Sequence, residues 1–67
     1  MHHAIEHVLK FFAYEHLPPK LQGVSKLFHD LAHTLASGAR SDNPEITVAL
    51  RKLLEAKDAA VRGYLDN

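Results

Sequence analysis

The fold is decided by one stretch with clear signals at both ends, residues 43–64, NPEITVALRKLLEAKDAAVRGY. Asn43 is a favoured N-cap residue, and Pro44 suits the first helical position, where a missing N–H leaves no hydrogen bond unmade. At the other end, Gly63 is a favoured C-cap residue. The stretch therefore predicts a helix over residues 44–62.

The apolar residues of this helix occupy a wide arc. At about 100° per residue, one half of the helical wheel carries Ile46, Ala49, Leu50, Leu53, Leu54, Ala60, Val61 and Tyr64. One neighbouring helix cannot cover such an arc, so we expect more than one neighbour. Lys57 projects near its middle. Either the stem of Lys57 lies between apolar neighbours with its ammonium at the rim, or the side chain points into a pocket between subunits that holds an anion.

Two further helices precede this one. In the first, Ile5, Val8, Leu9 and Phe12 recur at helical spacing and predict a helix over residues 2–16. Leu17-Pro18-Pro19 then predicts a fixed corner, because each proline excludes the preceding residue from the α region.

The second helix is predicted over residues 20–37. Its predicted buried stripe consists of Leu21, Val24, Leu27, Phe28, Leu31, Ala32 and Leu35. Gly23, inside this helix, indicates either a close approach of another helix or a ligand, or a tolerated glycine. The polar segment 38–42 joins two helices of similar length, which favours an antiparallel αα-hairpin. The first helix then packs on this hairpin or on another chain.

The length of the chain favours self-association. A chain of 67 residues forms one domain, residues 1–67, and such a chain buries only about 60% of its unfolded surface. It has no cysteine, so no disulfide can stabilise it. We therefore expect an all-α domain, a short N-terminal helix plus an αα-hairpin, that assembles as a homo-oligomer.

Charge and hydropathy exclude several classes of function. The chain has eight basic and eight acidic residues, which argues against binding of a DNA or RNA polymer. It has no apolar run long enough to cross a bilayer, and its N-terminus lacks the pattern of a signal peptide. We expect a cytoplasmic protein without a membrane partner.

The six histidines raise the question of a metal site. His3 and His7 stand four residues apart, as do His29 and His33, and this spacing lets two imidazoles of a helix share one metal. Further ligands are required, and neither Glu6 nor Asp30 lies on the strip of its pair. Solvated surface histidines are the favoured interpretation, with no metal.

The sequence offers no arrangement typical of an enzyme. The candidate hydroxyl nucleophiles are Ser25, Thr34, Ser37, Ser41 and Thr47. None of them follows the pattern of a nucleophile elbow, and the chain has no glycine-rich phosphate loop. We therefore expect no catalytic residue and no cofactor.

Three side chains are suited to bind a nucleotide. Tyr14 lies off the buried stripe of the first helix and can stack on a base. Lys26 lies off the stripe of the second helix, within reach of a phosphate. Arg62 lies on the solvent side of the third helix and can bind a phosphate with two hydrogen bonds. From composition and spacing alone, the favoured interpretation is an ordinary surface tyrosine, a solvated lysine and an Asp58–Arg62 ion pair.

Two segments resemble a known family. The string FAYEHLPPKLQGVSKLFHDLA (residues 12–32), followed by a polar turn and ALRKLLEAKDAAVRGYL (residues 49–65), resembles small proteins of actinobacterial phages and, through them, the Acb2/Tad1 hairpin-domain family. The shared features are an aromatic-x-Tyr-x-His-x-Pro segment, a helical pair and an L-x-E-A-x-x-A-x-x-R ending. The resemblance covers residues 11–65.

The resemblance implies a function without catalysis. Family members are sponges that sequester cyclic di- and trinucleotides, or cyclic ADP-ribose isomers, and so block the anti-phage immune signalling (CBASS and Thoeris) of the host bacterium. They are compact helical oligomers, typically hexamers, with pockets between protomers. The alternative from the residues alone is a structural or protein-binding hairpin module with no nucleotide ligand.

The resemblance also implies site residues. Tyr14 matches the tyrosine that stacks on a base, and Lys26 matches a lysine of the first hairpin helix. Arg62 matches an arginine that lines the trinucleotide site. Ser25 stands in for a threonine that contacts phosphate, and His16 belongs to the matched N-terminal segment.

Overall fold

The computed structural model describes residues 3–38 and 43–66, and these residues form three α-helices and no strand. The helices are α1 (His3–Leu9), α2 (Pro19–Gly38) and α3 (Pro44–Leu65). A single 3₁₀ turn, Lys10–Phe12, continues α1. The predicted all-α fold class is confirmed. The polar segment 39–42 and the predicted helical start at His2 lie outside the described residues.

The start of α3 follows the prediction and its end does not. Asn43 has an extended backbone, and its side-chain Oδ1 accepts a hydrogen bond from the Glu45 N–H at 3.0 Å, as an N-cap does. The prediction that α3 ends before Gly63 is wrong, because the helix runs on to Leu65. The Lys20 ammonium donates to the Leu65 carbonyl at 3.5 Å, so the end of α3 has a partner in α2 that its local sequence does not reveal.

The first helix is shorter than predicted. It gives way to the 3₁₀ turn and ends at Phe12, where Ala13 is extended, so the prediction of a helix to His16 is wrong. The Leu17 N–H donates to the Tyr14 carbonyl at 3.0 Å and closes a separate turn. The Gln22 amide donates to the Leu17 carbonyl at 2.7 Å. These bonds satisfy backbone groups of the corner without a helix.

The two long helices form an antiparallel hairpin. The hydrogen bond from Lys20 to Leu65 joins the first turn of α2 to the last turn of α3, which requires opposite directions. α2 begins at Pro19, as expected of a proline at the first helical position, and includes Gly38, so it is one residue longer at each end than predicted. α1 and the 3₁₀ turn pack against both helices of the same chain.

The core lies between α1 and the hairpin. All four residues of the predicted stripe of the first helix are buried, and Phe12 and Ile5 are fully so. From α3 only Leu50 is fully buried. Residues packed against this core are half-buried, namely Phe28, Ile46, Leu53 and Leu54.

The buried face of α2 differs from the predicted stripe. Ser25 and Ala36 are buried in place of the larger residues, beside Leu21 and Ala32, which were predicted. Small side chains let α1 and α3 approach the α2 backbone closely, and helical periodicity alone does not decide which of two adjacent faces turns inward. Gly23 marks no close approach, since no atom lies within 4 Å of an added Cβ.

Three leucines of the predicted stripe are exposed instead and form the leucine stripe, Leu27, Leu31 and Leu35. Their side chains are 70%, 47% and 36% exposed. Since these residues recur every four positions, they lie along one side of α2 next to its buried face. A small chain with such a stripe has apolar surface that further packing would cover.

Candidate functional site

A basic groove runs between the 3₁₀ turn, the following corner and the C-terminal half of α3. Its volume is about 420 Å³, within the range of small-molecule sites. Its lining residues are Lys10, Phe11, Ala13, His16, Leu17, Lys57, Asp58, Val61 and Arg62. The groove brings together two predicted site residues that lie 46 positions apart in the sequence, His16 and Arg62.

The charge of the groove is predominantly positive. Three cationic side chains, Lys10, Lys57 and Arg62, face one carboxylate, Asp58. The Lys57 ammonium lies 3.0 Å from the Asp58 carboxylate, although the Lys57 side chain is only 14% exposed. Within the described residues Arg62 forms no ion pair, and the Asp58–Arg62 pair considered above is replaced by Lys57–Asp58. The Arg62 guanidinium is therefore available to a ligand.

The floor of the groove is apolar. Phe11, Ala13, Leu17 and Val61 supply this surface, so bases or other flat apolar groups have a place beside the cations. An apolar surface with a few placed charged groups is the usual composition of a ligand site. The groove is suited to a small anion that carries an aromatic group.

The sequence alone did not reveal the groove, because Lys10 and Lys57 become neighbours only when α1 packs on α3. One signal was present. Lys57 interrupts the apolar arc of α3, and its side chain is only 14% exposed and lines the groove. The account in which Lys57 points into a pocket between subunits stays a prediction.

Tyr14 and Lys26 lie on a different surface, the histidine cluster, which consists of Tyr14, Lys26, His29, Asp30 and His33. The Tyr14 ring meets the His29 ring edge-on at 5.0 Å, and the His29 and His33 rings lie 4.3 Å apart. The Asp30 carboxylate accepts a hydrogen bond from Lys26 Nζ at 2.7 Å, and its other oxygen lies 3.0 Å from His29 Nδ1. The two predicted residues thus share a surface.

The charge of Lys26 is already paired. Hydrogen bonding to Asp30 raises the pKa of Lys26, and the hydrogen bonds from Lys26 and His29 lower the pKa of Asp30. A phosphate at this surface has to compete with the Asp30 carboxylate for the ammonium. Both side chains are about half exposed, so solvent screens the pair and its exchange for a phosphate is possible.

The histidines do not gather into a larger donor set. Within the described part of the chain, no group of three or more histidines and carboxylates is placed to hold a metal ion. The His7 ring packs edge-on against Phe11 at 5.6 Å, and His29 is held by Asp30.

Ser25 lies in the core. Its side chain is 0% exposed, and the hydroxyl oxygen has no hydrogen-bond partner. Within this chain the hydroxyl does not reach either surface described above. An unsatisfied buried hydroxyl carries a desolvation cost of about 1–3 kcal/mol.

We expect Ser25→Ala to stabilise the chain by about 1 kcal/mol, because alanine removes the unsatisfied hydroxyl and favours the helix. Urea denaturation followed by circular dichroism measures the change. Ser37→Ala is the matched control. The exposed Ser37 hydroxyl donates to the His33 backbone carbonyl at 2.8 Å, and its loss should be nearly neutral. A loss of stability in Ser25→Ala would show that the hydroxyl has a partner in solution.

None of the described helices combines the length and apolar character that a bilayer span requires. No protein-family model matches the chain, and no curated protein or solved structure is significantly similar to it.

Proposed function

We propose that this chain is a non-enzymatic sponge that binds cyclic di- or trinucleotides, or cyclic ADP-ribose isomers, in the basic groove. In the bacterial cytoplasm it would thereby block anti-phage immune signalling. The observation that carries the proposal is the groove itself, where three cations and one carboxylate surround an apolar floor. Phosphates match the cations and bases match the floor.

The resemblance to cyclic-nucleotide sponges supports the same ligand class. His16 and Arg62, two residues of the proposed site, line the groove together. A balanced net charge suits a small anion held by a few placed cations better than a polyanion. Sequestration acts by mass action, so the chain must bind the messenger more tightly than the effector does.

The test is a calorimetric titration panel of cyclic di- and trinucleotides and cyclic ADP-ribose isomers, with linear dinucleotides as controls. The sample is sized by light scattering beforehand. We expect tight binding of at least one cyclic ligand and its recovery intact after the protein is denatured. Recovery of hydrolysed ligand would contradict the proposal that the chain is a sponge. If the folded protein bound no ligand of the panel, nucleotide binding would be contradicted altogether.

The proposal includes a homo-oligomer, a hexamer by resemblance. The leucine stripe supports it, because burial of exposed leucines stabilises an assembly by roughly 25 cal/mol per Å². Pockets between protomers would also enclose a ligand that one open groove leaves partly in water. In such an assembly, His16 and Arg62 of one protomer and Tyr14 and Lys26 of another would contribute to the same ligand sites.

We expect Leu31→Lys to shift the oligomer toward monomer, because it places a charge in the middle of the stripe and leaves the core intact. Light scattering coupled to size exclusion measures the mass, and circular dichroism checks the helices. Ser37→Lys, an exposed change on the polar side of α2, is the control. An unchanged mass in Leu31→Lys would place the interface elsewhere.

A protein-binding hairpin module is the second candidate function. The leucine stripe favours it, since the same apolar surface suits a helix of another protein as well as a second copy. This candidate predicts a folded chain with no affinity for any ligand of the panel.

A further inference from the structure

Phe11 separates the basic groove from a second cavity. That cavity has a volume of about 580 Å³ and lies between α1 and the N-terminal half of α3. Its lining residues are His3, Ala4, His7, Val8, Phe11, Arg51 and Leu54. Phe11 lines both cavities, and we refer to the two adjacent cavities together as the trough.

The Phe11 ring is held at the surface of this trough. It is 53% exposed, whereas the neighbouring Phe12 is fully buried. The His7 ring meets it nearly perpendicularly, at 80° and 5.6 Å, which supports one edge of the ring and restricts its rotation. An exposed phenylalanine is ordinary by itself. A held ring that separates two cavities is a surface on which a base can stack.

Cations lie on both sides of the ring. Arg51 lines the second cavity, and Arg62 lines the basic groove. The two arginines are 11 residues apart, so they project from nearly the same side of α3 at Cα positions about 16 Å apart. Neither forms an ion pair within the described residues. The trough therefore offers two places for phosphate with an aromatic ring between them.

Tyr14 is less well placed for the same role. It is half-buried, and the His29 ring already packs against it. Its neighbouring cation, Lys26, is paired with Asp30. Phe11, unlike Tyr14, lines cavities together with arginines that form no ion pair among the described residues.

We infer that Phe11 is the base-stacking residue of the trough and that Arg51 is a second phosphate contact, so that the ligand carries a base between two phosphates. This inference rests on the proposed function and narrows its ligand class to cyclic di- and trinucleotides, in preference to cyclic ADP-ribose isomers. A base on the Phe11 ring places its flanking phosphates toward Arg51 on one side and Arg62 on the other.

The test uses cyclic di-AMP, cyclic di-GMP and cyclic tri-AMP, with AMP as the mononucleotide probe. Calorimetry compares the wild-type chain with Phe11→Ala, Phe11→Leu, Arg51→Ala and Tyr14→Ala. We expect Phe11→Ala to lower the affinity of a bound cyclic ligand by about 5- to 150-fold, as loss of one stacked base does. Phe11→Leu keeps apolar area without an aromatic face and should rescue the affinity only in part. Arg51→Ala should weaken the cyclic ligand more than AMP.

A spectroscopic readout separates stacking from a structural effect. Base protons of the ligand should shift upfield in proton NMR on binding to wild type, and this shift should vanish with Phe11→Leu. If wild type binds a cyclic ligand and Phe11→Ala binds it with the same affinity, the inference is overturned and the proposed function still stands. Absence of wild-type binding to every probe would overturn the inference, and absence of binding to the cyclic ADP-ribose isomers as well would overturn the proposed function.

Discussion

Replacing Phe12 with alanine is expected to destabilise the chain by about 3–5 kcal/mol, the usual cost of truncating a fully buried aromatic side chain. Phe12 is 0% exposed and lies at the end of the 3₁₀ turn, in the core with Ile5 and Leu50. A chain of 67 residues has a total stability of roughly 3–10 kcal/mol. The substitution therefore removes a large share of the total, and part of the population should unfold at room temperature.

Urea denaturation measured by circular dichroism tests this expectation, at several protein concentrations because assembly adds stability. Phe11→Ala is the matched control: it makes the same chemical change at the adjacent position, on a ring that is half exposed. It should cost far less than Phe12→Ala. Comparable losses in the two variants would mean that the turn does not hold Phe12 in the core.

The same pair of phenylalanines shows what the sequence could predict. Phe12 follows Ile5, Val8 and Leu9 at helical spacing, so its burial was predicted and is confirmed. Asn43 was predicted as a cap, since the signal is local and needs no other part of the chain. Features that are determined within one helical turn, or by repetition along one helix, could be predicted from the sequence.

Features that depend on a distant partner in the chain could not be predicted from the sequence. The first helix ends early at a corner whose backbone groups bond Gln22, a residue of the next helix. α3 continues past Gly63, where Lys20 supplies a partner for its end. In both cases a side chain from another element replaces the local signal that the prediction used.

The inward face of α2 illustrates a different limit. Leu27 and Leu31 fit the helical period as well as Ser25 and Ala36 do, and hydrophobicity favours the leucines. The structure buries Ser25 and Ala36 and exposes the two leucines. If copies of the chain associate through the leucine stripe, these leucines are buried in the assembly. The prediction that they are buried then holds for the assembly and not for the single chain.

The candidate site follows the same division. The roles of Tyr14, Lys26 and Arg62 as ligand contacts stay predictions, and the structure places them on two surfaces. The groove depends on α1 packing against α3, so Lys10 and Phe11 gave no sign of a site in the sequence. Lys57 gave one, because an isolated cation within an apolar arc needs a specific environment.

Replacing Arg62 with alanine is expected to lower the affinity for a cyclic di- or trinucleotide by about 10- to 150-fold. Hydrogen bonds to a charged group contribute about 1.5–3 kcal/mol, and each 1.4 kcal/mol is a factor of ten. Arg62 is exposed and forms no ion pair within the described residues, so its removal leaves no buried charge behind. Arg62→Lys should show an intermediate affinity, because lysine keeps the charge but not the paired donors of the guanidinium.

Calorimetry of the three proteins at two salt concentrations distinguishes contact from general attraction. The affinity of the wild-type chain should fall more steeply with salt than that of Arg62→Ala, since the variant has lost one cation from the groove. Lys52→Ala is the control, because Lys52 is an exposed cation of α3 that does not line the groove. If the Arg62→Ala chain bound the ligand as tightly as wild type, the phosphate would have to bind outside the basic groove. The histidine cluster, which holds two of the predicted site residues, would then be the next candidate surface, and Lys26→Ala should abolish binding there, because Lys26 is its one permanent cation among the described residues.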